Sequence, residues 1–173
     1  MPAKKLTIGF AYRLDEEDKP LVAKAKSGNA QALVELGRAL LDRDSNYFQC
    51  ANKPVERALD CFTLAAAQGS GEGYLAAGQW VLDHEKHTPE NLEKAVEYLK
   101  AAYADNPQEA HTELCQIWEI AEERVGMNLS SRFEFHAHDS VARDAKLTQE
   151  IFQFLYTEHQ KKATGAALTL TTI

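Results

Sequence analysis

The segment Arg132–Ser140, RFEFHAHDS, holds the densest group of chemistry-bearing residues in the chain. On a strand, Glu134, His136 and His138 would share one side, since alternate residues of extended chain point the same way. Two imidazoles and a carboxylate could then hold a zinc ion for a metal-dependent hydrolase. Such a centre needs further ligands from elsewhere. The remaining histidines, His84, His87, His111 and His159, form no second pair of recognisable metal spacing. Asp139 and Ser140 have a plainer use as caps for a helix that follows. Phe133 and Phe135 can plug the core, leaving His136 and His138 exposed. The expectation is therefore no metal, no cofactor and no catalytic residue.

Other chemistries fare no better. The chain lacks a Gly-x-Ser-x-Gly elbow and a phosphate-binding loop. Cys50, Cys61 and Cys115 are an odd number at no ligand spacing, which suits free thiols in a reducing compartment. Cys61 and Cys115 sit at helix positions suited to burial, and Trp80 and Trp118 read as packing residues.

A net charge of −7 speaks against nucleic-acid binding, which usually needs a basic stripe. No apolar run approaches a membrane span, and the N-terminal residues lack a secretory pattern. These features lead to the expectation of a cytoplasmic protein.

The positioning elements come from an internal repeat. GNAQALVELGRALLD (28–42) aligns with GSGEGYLAAGQWVLD (69–83), and ERALDCFTLAAAQG (56–69) with EKAVEYLKAAYADN (93–106). A third partial copy, NPQEAHTELCQIWE (106–119), puts Ala110, Leu114 and Trp118 where Gly73, Ala77 and Val81 fell. Apolar residues recur at helical period: Ala32, Leu33, Leu36, Leu40 and Leu41, then Ala58, Leu59, Phe62, Ala65 and Ala66, then Leu92, Ala95, Val96, Leu99 and Ala102. Pro54, Pro89 and Pro107 mark helix starts, with Thr88 and Asn106 as caps. Gly28 and Gly69 mark left-handed stops. Gly37 and Gly78 recur in register, which predicts close helix approach against larger residues such as Phe62, Leu99 and Trp118.

The segmentation that follows is an N-terminal extension (1–19), repeats (20–126), a linker (127–140), a capping helix (141–163) and a tail (164–173). The capping helix carries Val141, Ala145, Leu147, Ile151, Phe154 and Leu155 as its stripe and stops at Gly165. The Thr-rich tail reads as a strand, a partner segment or disorder. The segment 44–53 reads as an inserted loop, with Tyr47 and Phe48 folded back over the end of a hairpin.

Leu36-Gly37, Arg57-Ala58, Ala65-Ala66 and Gly69, repeated as Ala77-Gly78, Lys94-Ala95 and Ala101-Ala102, resemble the Sel-one-like repeats, relatives of tetratricopeptide repeats. The resemblance covers roughly residues 20–125. It implies an all-α fold, a short right-handed α-solenoid of stacked helical hairpins. It also implies a bacterial-type scaffold or adaptor that binds another protein through the concave face of its first helices. In this register that face carries Gln31, Val34, Arg38, Glu72, Leu75, Gln79, Asp83, Glu109, Thr112, Gln116 and Glu119, with Leu82 as a further apolar contact. Its acidity favours a basic segment in the partner. An immunity or inhibitor protein that neutralises a toxin or enzyme is the alternative within this class. These patterns set no oligomeric state.

Overall fold

A computed structural model describes residues 16–130 and 138–170, with side-chain surroundings for 16–124 and 142–161. The regular elements within these bounds are eight α-helices: α1 Lys19–Lys26, α2 Ala30–Ala39, α3 Asn46–Cys50, α4 Pro54–Ala66, α5 Gly71–His84, α6 Pro89–Ala102, α7 Pro107–Ser130 and α8 His138–Leu170. The protein is all-α over this range.

Local chemistry explains the helix boundaries. Asn29, Ser70 and Thr88 each accept a backbone N–H of the following first turn with their side chains. Each satisfies one of the donors a helix start leaves without an intrahelical partner. Pro54 and Pro89 occupy first-turn positions, where a missing N–H costs nothing. Gly28 and Gly69 adopt φ of 90° and 82°, the left-handed stops anticipated from the sequence.

Each long helix packs on the next, and α2 also touches α5, as α5 touches α7 and α6 touches α8. The stripes predicted for α2, α4 and α6 form the core, with Leu36, Leu40, Ala58, Ala65, Ala95 and Leu99 wholly removed from water. Leu41 and Leu59 lie at its margin. At about 25 cal/mol per Å² of apolar surface, each fully buried leucine contributes about 1.5–3 kcal/mol.

Glycines set the closest approaches. A Cβ on Gly37 would run into the Phe62 ring, and one on Gly78 would lie 2.8 Å from Leu99 Cγ. Gly73 is more constrained, since its Cβ would stand 2.7 Å from both Ala65 Cβ and the Ala66 backbone nitrogen. Small residues in one helix thus accept large ones or backbone from its neighbour. Trp118 is only partly buried.

The C-terminal helices depart from the expected bounds. The third repeat helix does not end near Gly126 but continues to Ser130, and the last helix runs from His138 through Gly165 to Leu170. A single interior glycine costs about 1 kcal/mol relative to alanine, too little to stop a helix among good formers. Most of the tail is thus helical, not a strand. Ala145, assigned to the buried stripe, is exposed, and Asp144 takes the inward position at 2% exposure. The segment 44–53 is not an open loop, because it contains α3. Tyr47 is buried there and donates its hydroxyl to the Asp18 carbonyl, 2.9 Å away, while Phe48 is half-buried.

Candidate partner-binding face

The first helices of the repeats, α2, α5 and α7, meet along one polar edge. Arg38 Nη1 donates to Glu72 Oε1 at 2.7 Å, joining α2 to α5. Gln79 Nε2 donates to Glu113 Oε1 at 2.9 Å, joining α5 to α7. Gln79 stands 41 positions after Arg38, and Glu113 stands 41 after Glu72. Arg38 and Gln79 are equivalent in the repeat, but Glu113 lies one helical turn beyond Glu109, the equivalent of Glu72, so the second contact falls a turn deeper in its helix. Glu113 was missed by the sequence assignment, because the repeat alignment puts Glu109 where Glu72 fell.

Most of the predicted face is accessible. Gln31, Arg38, Asp83, Glu109, Thr112, Gln116 and Glu119 are exposed, and Glu72 and Gln79 are half-buried through their cross-helix bonds. Gln31 also donates to Glu35 within α2 at 3.3 Å. Three apolar assignments need correction. Val34 is 0% exposed, Leu75 6% and Leu82 5%, so none offers a contact surface. The helix α2 has α1, α4 and α5 as neighbours, and α5 has α2, α4, α6 and α7. A helix enclosed on several sides buries a wider stripe than one amphipathic face.

The edge is acid-rich. Asp83, Glu109 and Glu119 are exposed and Glu72 and Glu113 are held in the cross-helix bonds, with Arg38 as the cation among them. Such an array attracts a basic segment and repels an acidic one.

The remaining chemistry-bearing groups have structural uses. Nδ1 of His84 lies 3.1 Å from the Trp80 carbonyl and its ring stacks on the indole at 5.0 Å between centroids. Nε2 of His87 sits 2.8 Å from the Leu82 carbonyl. Trp80 donates its indole N–H to the Val55 carbonyl at 3.0 Å, which ties α5 to the start of α4. Burial, reinforced by Asp60, pushes the Cys61 thiol up to about 12. Cys115 is half-buried rather than in the core, with His111 Nε2 3.6 Å from its sulfur. Burial first and Glu119 second raise its pKa too. A raised thiol is a poor nucleophile near neutrality, because the thiolate is the reactive form.

Among the described residues, no three His, Cys, Asp or Glu side chains gather as metal ligands would. His138 opens α8, while Phe133, Glu134, Phe135 and His136 lie outside the described residues. Among those same residues, no helix is long and apolar enough to cross a membrane.

Fold and edge together define an all-helical protein with polar side-chain contacts from α2 to α5 and from α5 to α7. No protein-family model, curated protein or solved structure matches the chain.

Proposed function

We propose that this chain is a non-enzymatic interaction protein, a short right-handed solenoid of Sel-one-like hairpins that holds a partner protein against the α2–α5–α7 edge. The observation that carries this reading is that side-chain bonds link successive first helices, Arg38 to Glu72 and Gln79 to Glu113. Stacked hairpins repeat their inter-unit contacts and present a continuous surface along one side. The exposed acids beside that row favour a basic segment in the partner. Hydrogen bonding across the row also fixes Glu72 and Gln79 in place, which lowers the entropy lost when a partner docks. The three free thiols fit a reducing, cytoplasmic setting.

The test is affinity capture from the native host with two sets of variants. Charge reversal at Glu109 and Glu119 alters the face, while reversal at Lys94 and Glu97 on α6 serves as the control. A partner kept by the control and lost by the face variant supports the reading. Equal capture by both removes the assigned face. Stoichiometric zinc in the purified protein, lost in His136→Ala and His138→Ala, would replace the binding reading with a hydrolase.

A further inference from the structure

The outer side of α8 is unlike the rest of the surface. Phe152 and Tyr156 are the most exposed large apolar residues among those described, at 63% and 52%, and their rings stack at 6.2 Å. Ala142, Ala145, Gln149 and His159 flank them, and all four are exposed. These six positions follow spacings of three and four residues, the seam of a coiled coil. None carries a carboxylate, a lysine or an arginine, in a chain where 26% of residues do. Loss of charge around exposed aromatic residues marks the centre of an interface rather than a solvated helix face.

The order of residue types along the seam identifies the occupant. Running outward from the midpoint between Phe152 and Tyr156, the types are aromatic, polar, small and small in both directions. One way these are Phe152, Gln149, Ala145 and Ala142. The other way they are Tyr156 and His159, and the register continues in sequence to Ala163 and Ala166. A stripe that reads alike in both directions is complementary to itself turned end for end. Two-fold symmetric contacts require that property, because one patch must face its own copy.

We propose that α8 forms an antiparallel two-stranded coiled coil with α8 of a second copy of this chain. In that register Phe152 meets the second copy's Tyr156, and Gln149 meets its His159. The alanine positions 142 and 145 then fall opposite 166 and 163. The seam extends over about 36 Å at 1.5 Å per residue. Large residues fill the centre and small ones let the helix ends approach closely.

Charge permits the same occupant. Two chains of net charge −7 repel each other over most of their surfaces, and the uncharged seam is where contact avoids that cost. The bordering positions conform as well. Antiparallel pairing sets Lys146 across from Gln160, and Gln153 and Leu155 each against its own copy. No like charges meet across this border. The nearest carboxylates are held elsewhere, since Glu150 accepts from Lys100 at 2.7 Å and Glu158 pairs with Lys161 at 2.5 Å. This contact uses a different helix face from the α2–α5–α7 edge and stands or falls independently of it.

Sedimentation equilibrium of the full chain over a broad dilution series should give twice the 19.3 kDa chain mass, falling toward one chain on dilution. Phe152→Glu should weaken the dimer at least about thirtyfold, the size of a hot-spot loss, with an unchanged circular dichroism spectrum because the residue is exposed. Orientation is read by mixing. In a Cys50→Ser, Cys115→Ser background, Gln149→Cys chains and His159→Cys chains should cross-link through a short bismaleimide when mixed, and neither should do so alone. Cross-linking of each variant with itself would mean a parallel pair and overturn the register. A wild-type chain that stays monomeric at every concentration, or a Phe152→Glu dimer as tight as wild type, would overturn the proposal.

Discussion

The joints among α2, α4, α5 and α6 and the seat of α8 solve one packing problem with different chemistry. At its glycines the first group is dry. Gly37 takes the Phe62 ring, Gly78 takes Leu99, and Gly73 lies against Ala65 and the Ala66 backbone. The seat of α8 relies on charge as well as apolar contact. Leu147 and Ile151 are buried, but Arg143 of α8 forks onto Glu93 of α6, at 3.2 Å from Nε and 2.8 Å from Nη2, and also pairs with Glu90. Asp144 is buried, with Arg124 Nη1 of α7 3.5 Å away. Lys100 bonds Glu150 and lies 5.4 Å above the Phe154 ring, whose edge meets Tyr103. A repeating unit can reuse one small-into-large joint, whereas a terminal helix that meets only one side of the array needs contacts of its own.

The contrast can be broken by mutation, and the largest effect belongs to the dry joints. Phe62→Ala leaves a cavity opposite Gly37 and should cost about 3–5 kcal/mol in urea unfolding. A loss under about 1 kcal/mol would mean that the ring does not fill the joint. Gly73→Ala comes next. Alanine ordinarily favours a helix by about 1 kcal/mol, yet here its methyl meets backbone, and overpacking should bring a net loss of about 1–3 kcal/mol. Increased stability in that variant would show that α5 moves freely against α4.

Asp144 sharpens the other side of the comparison. Burial raises its pKa above the ordinary carboxyl value, opposed by Arg124. An acid with a raised folded-state pKa binds its proton more tightly when folded. Its stabilising contribution is therefore present below the unfolded value, near pH 4, and is lost as pH rises through the folded value. The difference in unfolding free energy between wild type and Asp144→Asn should fall across that window. A difference that rises with pH would make the Arg124 pairing, not burial, the dominant influence. Smallest of all, Arg143→Ala should lower the melting temperature slightly, by an amount that shrinks in high salt, because Glu90 is exposed and Glu93 only half-buried. Equal losses at low and high salt would point to packing by the arginine stem.

The dry joints were legible in the sequence because periodicity and register are properties of spacing. Gly37 and Gly78 recur 41 residues apart, and the α6 stripe was read without error. The seat of α8 was legible in its apolar stripe, since Leu147 and Ile151 are buried as read, but not in its charged contacts. Arg143, Asp144 and Glu93 look like solvated surface residues until two distant helices meet, and nothing local marks Asp144 as an inward position while Ala145 points out. The candidate face was half legible. Helical phase placed Gln31, Arg38 and Glu109 outside, but one helix alone cannot show how many neighbours enclose it, so Val34 and Leu75 were assigned to solvent.

The bond from Tyr47 to the Asp18 carbonyl has a consequence during synthesis. Asp18 immediately precedes α1, and its partner lies 29 residues downstream. A ribosome adds about 5–20 residues per second, so α1 emerges a few seconds before the hydroxyl that fastens its leading end. Over that interval α1 has its packing against α2 but not yet this bond. The insertion that carries α3 thus acts as a late latch on α1, and shortening it would remove that fastening.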